Sequence, residues 1–128
     1  MGYTKHKSEE SVEDYLETIL SLQNTLGNVR SIDIANELNY TKASVSVAMK
    51  KLREMEYITM APTGYITLTE SGKKRAEDVL ERHTLLSNWL MSIGVTEEVA
   101  KEDACKIEHD LSPESFAAIK AYVTNLNK

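Results

Sequence analysis

Apolar residues recur at helical spacing from the start of the chain. Val12, Tyr15, Leu16, Ile19 and Leu22 predict a first helix that ends near Leu26, with Ser8 or Ser11 as its cap and Gly27-Asn28 as its stop. Ser31 is the expected cap of a short second helix from Ile32 to Leu38, with Asp33 in its first turn, where a negative charge favours the helix dipole. Asn39-Tyr40 reads as a turn. Thr41 then caps a third helix, Lys42 to about Met55, whose inner face is Val45, Met49 and Leu52. Two helices joined by so short a turn form a helix-turn-helix, and Ile34, Ala35, Leu38 and Val45 are small enough to pack them closely.

The period changes after the third helix. Tyr57-Ile58-Thr59-Met60, Ala61-Pro62-Thr63-Gly64 and Tyr65-Ile66-Thr67-Leu68 read as strand, turn and strand. A helix-turn-helix followed at once by a hairpin is the winged-helix arrangement, with the hairpin as the wing. Thr69 is expected to cap a long helix from Glu70 to about Ser92, with Ala76, Val79, Leu80, His83, Leu86, Trp89 and Leu90 on its stripe, broken at Ile93-Gly94-Val95. Thr96 starts a further helix running through Cys105 to about His109. Ser112-Pro113 opens the last one, striped by Phe116, Ile119, Tyr122, Val123 and Leu126. The expected fold is mainly α, an N-terminal winged helix-turn-helix over residues 1–70 followed by a helical domain over 71–128.

Composition narrows the picture. The 128 residues suit one ordinary domain or two small units sharing a core. Hydrophobic content of 41% and charged content of 27% fit a soluble globular chain. No apolar run approaches the roughly 20 residues of a membrane span, and the basic N-terminus has no apolar stretch behind it, so neither a membrane partner nor a secretory signal is expected. One cysteine excludes an intrachain disulfide and suits a reducing, cytoplasmic compartment.

The net charge of −5 argues against a surface that attracts nucleic acid everywhere. From Thr41 to Arg53, however, Lys42, Lys50, Lys51 and Arg53 stand with no acid among them. Small and hydroxyl residues at the start of that helix (Thr41, Lys42, Ala43, Ser44, Ser46), with Lys50, suit entry into a DNA major groove, and Thr63 lies at the wing tip. A merely solvated basic helix is the plainer alternative.

Cys105, Glu108 and His109 carry the candidate chemistry. On a helix their spacing of i, i+3 and i+4 puts all three on one face. Thiolate, carboxylate and imidazole together suit a divalent transition metal better than Mg²⁺ or Ca²⁺. His83 offers a second imidazole on the long helix, and Asp14 and Glu17 two carboxylates on the first. Spacing cannot say whether these helices meet. A lone cysteine is more often a buried small hydrophobe, and surface acids are commonly just solvated. Nothing reads as a nucleophile elbow, a phosphate loop or a metalloprotease His-Glu-x-x-His, so an enzyme is not expected. A small metallohydrolase, or a winged-helix protein indifferent to metal, remain the other readings. The last three helices also carry apolar residues beyond the needs of a small core (Leu85, Leu86, Trp89, Leu90, Phe116, Tyr122), which predicts a symmetric homodimer.

At this point the chain resembles the diphtheria toxin repressor family of metal-dependent regulators, above all its short manganese transport regulator branch. The similar segments are Ser11-Val12-Glu13-Asp14-Tyr15-Leu16-Glu17-Thr18-Ile19, Val45-Ser46-Val47-Ala48-Met49-Lys50-Lys51-Leu52, Leu68-Thr69-Glu70-Ser71-Gly72-Lys73-Lys74, Arg82-His83 and Ile107-Glu108-His109-Asp110-Leu111-Ser112. The resemblance implies Asp14, Glu17, His83, Cys105, Glu108 and His109 as metal ligands. Cys105 falls where the manganese branch carries Glu and the iron branch Cys. Ser87 and Lys101 fall where the iron branch places an ancillary site, and are poor replacements. The resemblance further implies a repressor of metal-uptake genes. It would bind double-stranded operator DNA as a homodimer when Mn²⁺ or Fe²⁺ is present, with Co²⁺, Ni²⁺ or Zn²⁺ able to bind in vitro, and it would take no small-molecule substrate.

Overall fold

The computed structural model describes residues 4–126, with side chains from 11 to 125. Its elements are α1 (Thr4–Leu26), α2 (Ser31–Leu38), α3 (Lys42–Glu54), β1 (Ile58–Met60), β2 (Ile66–Leu68), α4 (Glu70–Ser92), α5 (Glu97–Ile107) and α6 (Pro113–Leu126). They form two compact units that divide between Glu77 and Asp78, inside α4.

In the first unit, α1, α2 and α3 pack on one another, with α1 also against β2 and α3 against β1. Leu16, Ile19, Val29, Ile34, Val45, Met49, Leu52, Ile58 and Ile66 are buried. Each such side chain contributes about 1.5–3 kcal/mol of transfer free energy, which fixes the helix faces more firmly than propensity does. The apolar positions expected for α3 all point inward.

Several boundaries differ from expectation, each for a local reason. Helix α1 reaches back to Thr4, so Ser8 and Ser11 lie inside it rather than capping it. Helix α2 is capped by Arg30, not Ser31: the Arg30 amide donates to Asp33 Oδ2 at 2.9 Å. Asp33 thus acts by accepting a hydrogen bond as well as through its charge. Helix α3 ends at Glu54, one residue short. The strands are shorter than read, pairing Ile58 with Leu68 and Met60 with Ile66. An isolated antiparallel bridge joins Val29 to Ile66, with the Ile66 amide donating to the Val29 carbonyl at 2.7 Å. One residue of bridge has no period, so the sequence gives no sign of it.

The turns follow their chemistry. Asn39 adopts left-handed φ of 58° between α2 and α3, a conformation asparagine tolerates. Thr41 Oγ1 accepts the Ser44 amide at 3.1 Å and so caps α3. Thr69 ties the wing to α4: its hydroxyl donates to the Glu56 carbonyl at 2.7 Å and accepts the Gly72 amide at 3.1 Å.

The second unit buries Val79, Leu86, Ala100, Ala104 and Phe116, along with Ser87 and Glu108. Gly94 ends the α4 segment with a φ of 106°. Helix α5 stops at Ile107, so Glu108 is its C-terminal cap and His109 lies beyond it. Glu108 keeps right-handed helical dihedrals and donates its amide to the Ala104 carbonyl at 2.9 Å, so it stays in helical register with Cys105, and His109 begins the turn. The Ser115 amide donates to Ser112 Oγ at 3.0 Å, capping α6 as expected. Of the apolar surplus, Leu86 and Phe116 belong to this core, Leu85, Trp89 and Leu90 are half-buried, and Tyr122 is exposed. Among the described residues no helix is long and apolar enough to cross a membrane.

Gly72 is set by close approach, because a β-carbon there would collide with the Tyr57 carbonyl. Gly72→Ala should lower stability by about 2 kcal/mol, the usual scale of overpacking. Urea unfolding measures it, and an unchanged midpoint would show that the α4 start is not held against β1.

Candidate metal centre and nucleic-acid interface

Helix α3 presents its polar face outward. Thr41, Lys42, Ala43, Ser44, Ser46 and Lys50 are all exposed, as is Thr63 between β1 and β2. Thr41 and Ser44 also bond each other at 2.9 Å, so their hydroxyls are partly engaged in capping. Lys51 and Arg53, the other cations of the basic run, are exposed on the same helix. Two further features were not singled out from the sequence. Val47 is 69% exposed although it belongs to an apolar residue type. Beside the wing, the Arg30 guanidinium lies 4.5 Å from the Tyr65 ring centre. Val47 could have been found only by placing it opposite Val45 and Met49.

The first unit also carries Asp14 and Glu17, three residues apart on α1 and both half-buried. The Thr18 hydroxyl donates to the Asp14 carbonyl at 2.7 Å. Their neighbour Glu13 pairs with Arg75 at 3.2 Å, and Arg75 donates to the Tyr57 hydroxyl at 2.7 Å. Burial pushes the pKa of Tyr15 up, and nearby Tyr40 and Asp14 push it further, so Tyr15 stays a neutral phenol.

In the second unit the structure brings Cys105, Glu108 and His109 together: each offers one ligand atom, all within 4.8 Å of one another. The Cys105 thiol is free and exposed. His83, on α4, joins them through Glu108, its Nδ1 standing 2.9 Å from Glu108 Oε2. The Glu108 side chain has no exposure. Its other oxygen, Oε1, is buried with no hydrogen-bond partner. His109 Nε2 stands 3.4 Å from Oε1, close but without a hydrogen bond. A buried carboxylate oxygen without a donor costs about 1–3 kcal/mol or more. Sulfur, nitrogen and carboxylate oxygen around such an atom fit a divalent transition metal. Ser87 donates its hydroxyl to the Thr84 carbonyl at 3.2 Å, and Lys101 is paired with Glu97 at 3.0 Å, so neither presents an anionic donor.

Arg82 holds the turn that carries these donors. Its Nη1 donates to the carbonyls of Glu108 at 3.0 Å and Leu111 at 2.6 Å, and its guanidinium lies 5.1 Å from the Phe116 ring centre. The α5–α6 turn is thus fixed from α4, the helix that also supplies His83.

A winged helix followed by a helical unit with a mixed thiol, imidazole and carboxylate cluster defines a metal-responsive DNA-binding regulator. The chain belongs to the diphtheria toxin repressor family of metal-dependent transcriptional regulators. Residues 2–65 match the family model described as iron dependent repressor, N-terminal DNA binding domain, and residues 69–128 match its metal binding and dimerisation domain. The transcriptional regulator MntR of Escherichia coli O6:H1 is 34% identical over 113 residues, covering 88% of this chain and 73% of that protein. The regulator MntR of Listeria welshimeri is 39% identical over 109 residues, covering 85% and 77%. A manganese-dependent transcriptional repressor solved in complex with manganese superposes with a TM-score of 0.80 at 27% identity, over 88% of this chain and 52% of that one. The chain spans about half the length of that solved structure.

Arg82→Leu removes both charge-assisted bonds from the turn and should cost about 2 kcal/mol of stability. Arg82→Lys should restore only part of it, since an ammonium lacks the planar fork. Unfolding in urea decides; equal stability of both variants and wild type would mean the turn holds itself.

Proposed function

We propose that this chain represses metal-uptake genes, with residues 1–70 binding operator DNA and residues 71–128 binding metal and pairing two copies into a homodimer. The buried Oε1 of Glu108, without a hydrogen bond and beside Cys105 and His109, is the observation that carries the reading. A group so placed is costly in a metal-free protein, and it is satisfied by a cation. The effector is Mn²⁺ or Fe²⁺, while Co²⁺, Ni²⁺ and Zn²⁺ would bind the same donors more tightly in a tube. The site of action is the cytoplasm, where one free cysteine stays reduced.

The proposed ligands are Asp14 and Glu17 from the DNA-binding domain and His83, Cys105, Glu108 and His109 from the dimerisation domain. Their resemblance to the ligand-bearing segments of the family supports the set. Three carboxylates among them repel one another while unneutralised. A bound divalent ion supplies the charge that lets them converge. Asp14 and Glu17 then tie α1 to the dimerisation domain, which sets the separation of the two α3 helices in a two-fold dimer. Half-sites on DNA lie about one helical turn apart, or a multiple of it, so only one separation serves. The effect is a shift in population toward the DNA-competent geometry, and metal acts only through its tighter binding to that state. Ile93 and Tyr122, exposed to 63% and 62%, and half-buried Trp89 and Leu90 offer the apolar surface for pairing.

The test is fluorescence anisotropy of the full chain on DNA from its own promoter region, titrated with Mn²⁺ and with Fe²⁺ under anaerobic conditions. Affinity should rise about 5- to 150-fold with metal, the usual range of allosteric coupling, and chelation should reverse it. Glu108→Gln and His109→Ala should remove the metal dependence while remaining folded. Affinity that ignores metal in the wild type would refute the reading in favour of a metal-independent winged helix.

A further inference from the structure

The outer face of α3 has an apolar ridge between rows of polar side chains. The buried stripe of this helix is Val45, Met49 and Leu52. Residues on a helix advance about 100° each, which puts Val47 roughly 200° from Val45, facing directly away from the core. Ala43 stands one turn earlier on the same line. Ser46 and Lys50 flank the ridge on one side, and Ser44 and Lys51 on the other. Among the described residues Val47 is the most exposed of the large apolar side chains, at 69%. Valine is also a poor choice for an exposed helical position, since its β-branch freezes χ1 there. Val47 borders a pocket with Val12 and Tyr15 of α1 but stays largely exposed, so burial there does not account for it.

The flanking residues say what the ridge faces. Lysines and hydroxyls on both sides suit the two phosphate walls of a major groove. A ridge between them lies over the floor of the groove, among the base edges. The one apolar group that base edges display there is the C5 methyl of thymine. We propose that Val47, with Ala43 beside it, reads a thymine methyl in each half-site and so determines sequence preference at that base pair. The inference rests on the DNA-binding reading of α3 and adds to it the identity of one contacted base.

The experiment uses the full chain loaded with Mn²⁺. Its preferred duplex is selected from a random library, and each thymine of that duplex is then replaced in turn by deoxyuridine, which lacks only the methyl. At one thymine per half-site the replacement should weaken wild-type binding roughly fourfold, the worth of one buried methyl-sized group. In Val47→Ala the same replacement should change binding little, and the two effects should be coupled rather than additive. Val47→Thr, which keeps one methyl, should fall between. Circular dichroism checks that each variant is folded. A duplex indifferent to every thymine methyl, or a methyl effect unchanged in Val47→Ala, overturns the inference while leaving the regulator reading standing. Complete loss of binding in Val47→Ala also overturns it, because one methyl contact accounts for only a several-fold effect. Failure to select any duplex removes the regulator reading and the inference together.

Discussion

A carboxylate shut away from water needs compensating charge, and much of the second unit is arranged around this need at Glu108. One of its oxygens is 2.9 Å from an imidazole nitrogen of His83. The other has no hydrogen bond, although His109 is close. Its backbone carbonyl is held by Arg82, so the residue is fixed at both ends while half of its charge-bearing group goes unsatisfied. Proteins rarely leave a buried acceptor in this condition without a function for it. The fixed turn and the unsatisfied oxygen therefore support each other as signs of a cation site. A flexible turn would simply have let the carboxylate swing out to water.

The first unit solves a different problem, that of presenting a polar helix rigidly. Helix α3 is anchored by Val45, Met49 and Leu52 on one side and capped by Thr41 at its start. Its other faces are left to solvent. The hairpin is too short to be stable alone, since two-stranded ribbons are marginal in water. It is secured by the Val29 bridge on one edge and by Thr69 and the close packing of Gly72 against Tyr57 where it meets α4. An acidic chain can in this way carry one basic, well-ordered surface.

Most of this architecture was legible in the sequence because periodic burial is a strong signal. The stripe of α3, the hairpin around Pro62-Thr63-Gly64 and the stop at Gly94 each follow from one rule applied locally. The misses are where a single contact decides. Asp33 reaching back to Arg30 moved the α2 cap by one residue, and nothing in the spacing distinguishes Arg30 from Ser31 as the turning point. Helix α5 gives way to a turn at Glu108, and Arg82, far away in sequence, donates to the carbonyls of Glu108 and Leu111 there. That contact, which spacing within α5 could not show, holds the turn after Cys105 in place. The i, i+3 spacing of Cys105 and Glu108 keeps its helical sense, because Glu108 still donates its amide to the Ala104 carbonyl at 2.9 Å.

Cys105 is where the proposed reading turns on chemistry rather than geometry. Unlike Glu108, it is exposed, so no burial cost compels it to find a partner. Its value as a ligand depends on becoming a thiolate, which a bound metal promotes. A thiolate favours softer ions than a carboxylate at the same place would, which moves preference from Mn²⁺ toward Fe²⁺ and later metals. In the proposed site Glu108 and His109 would accept any of these ions. A site with fixed hard and borderline donors and one optional soft donor therefore keeps its capacity to bind metal while its selectivity rests on a single side chain. On the proposed reading, metal discrimination would rest on Cys105, while the Arg82-held turn and the buried carboxylate would serve any of these ions.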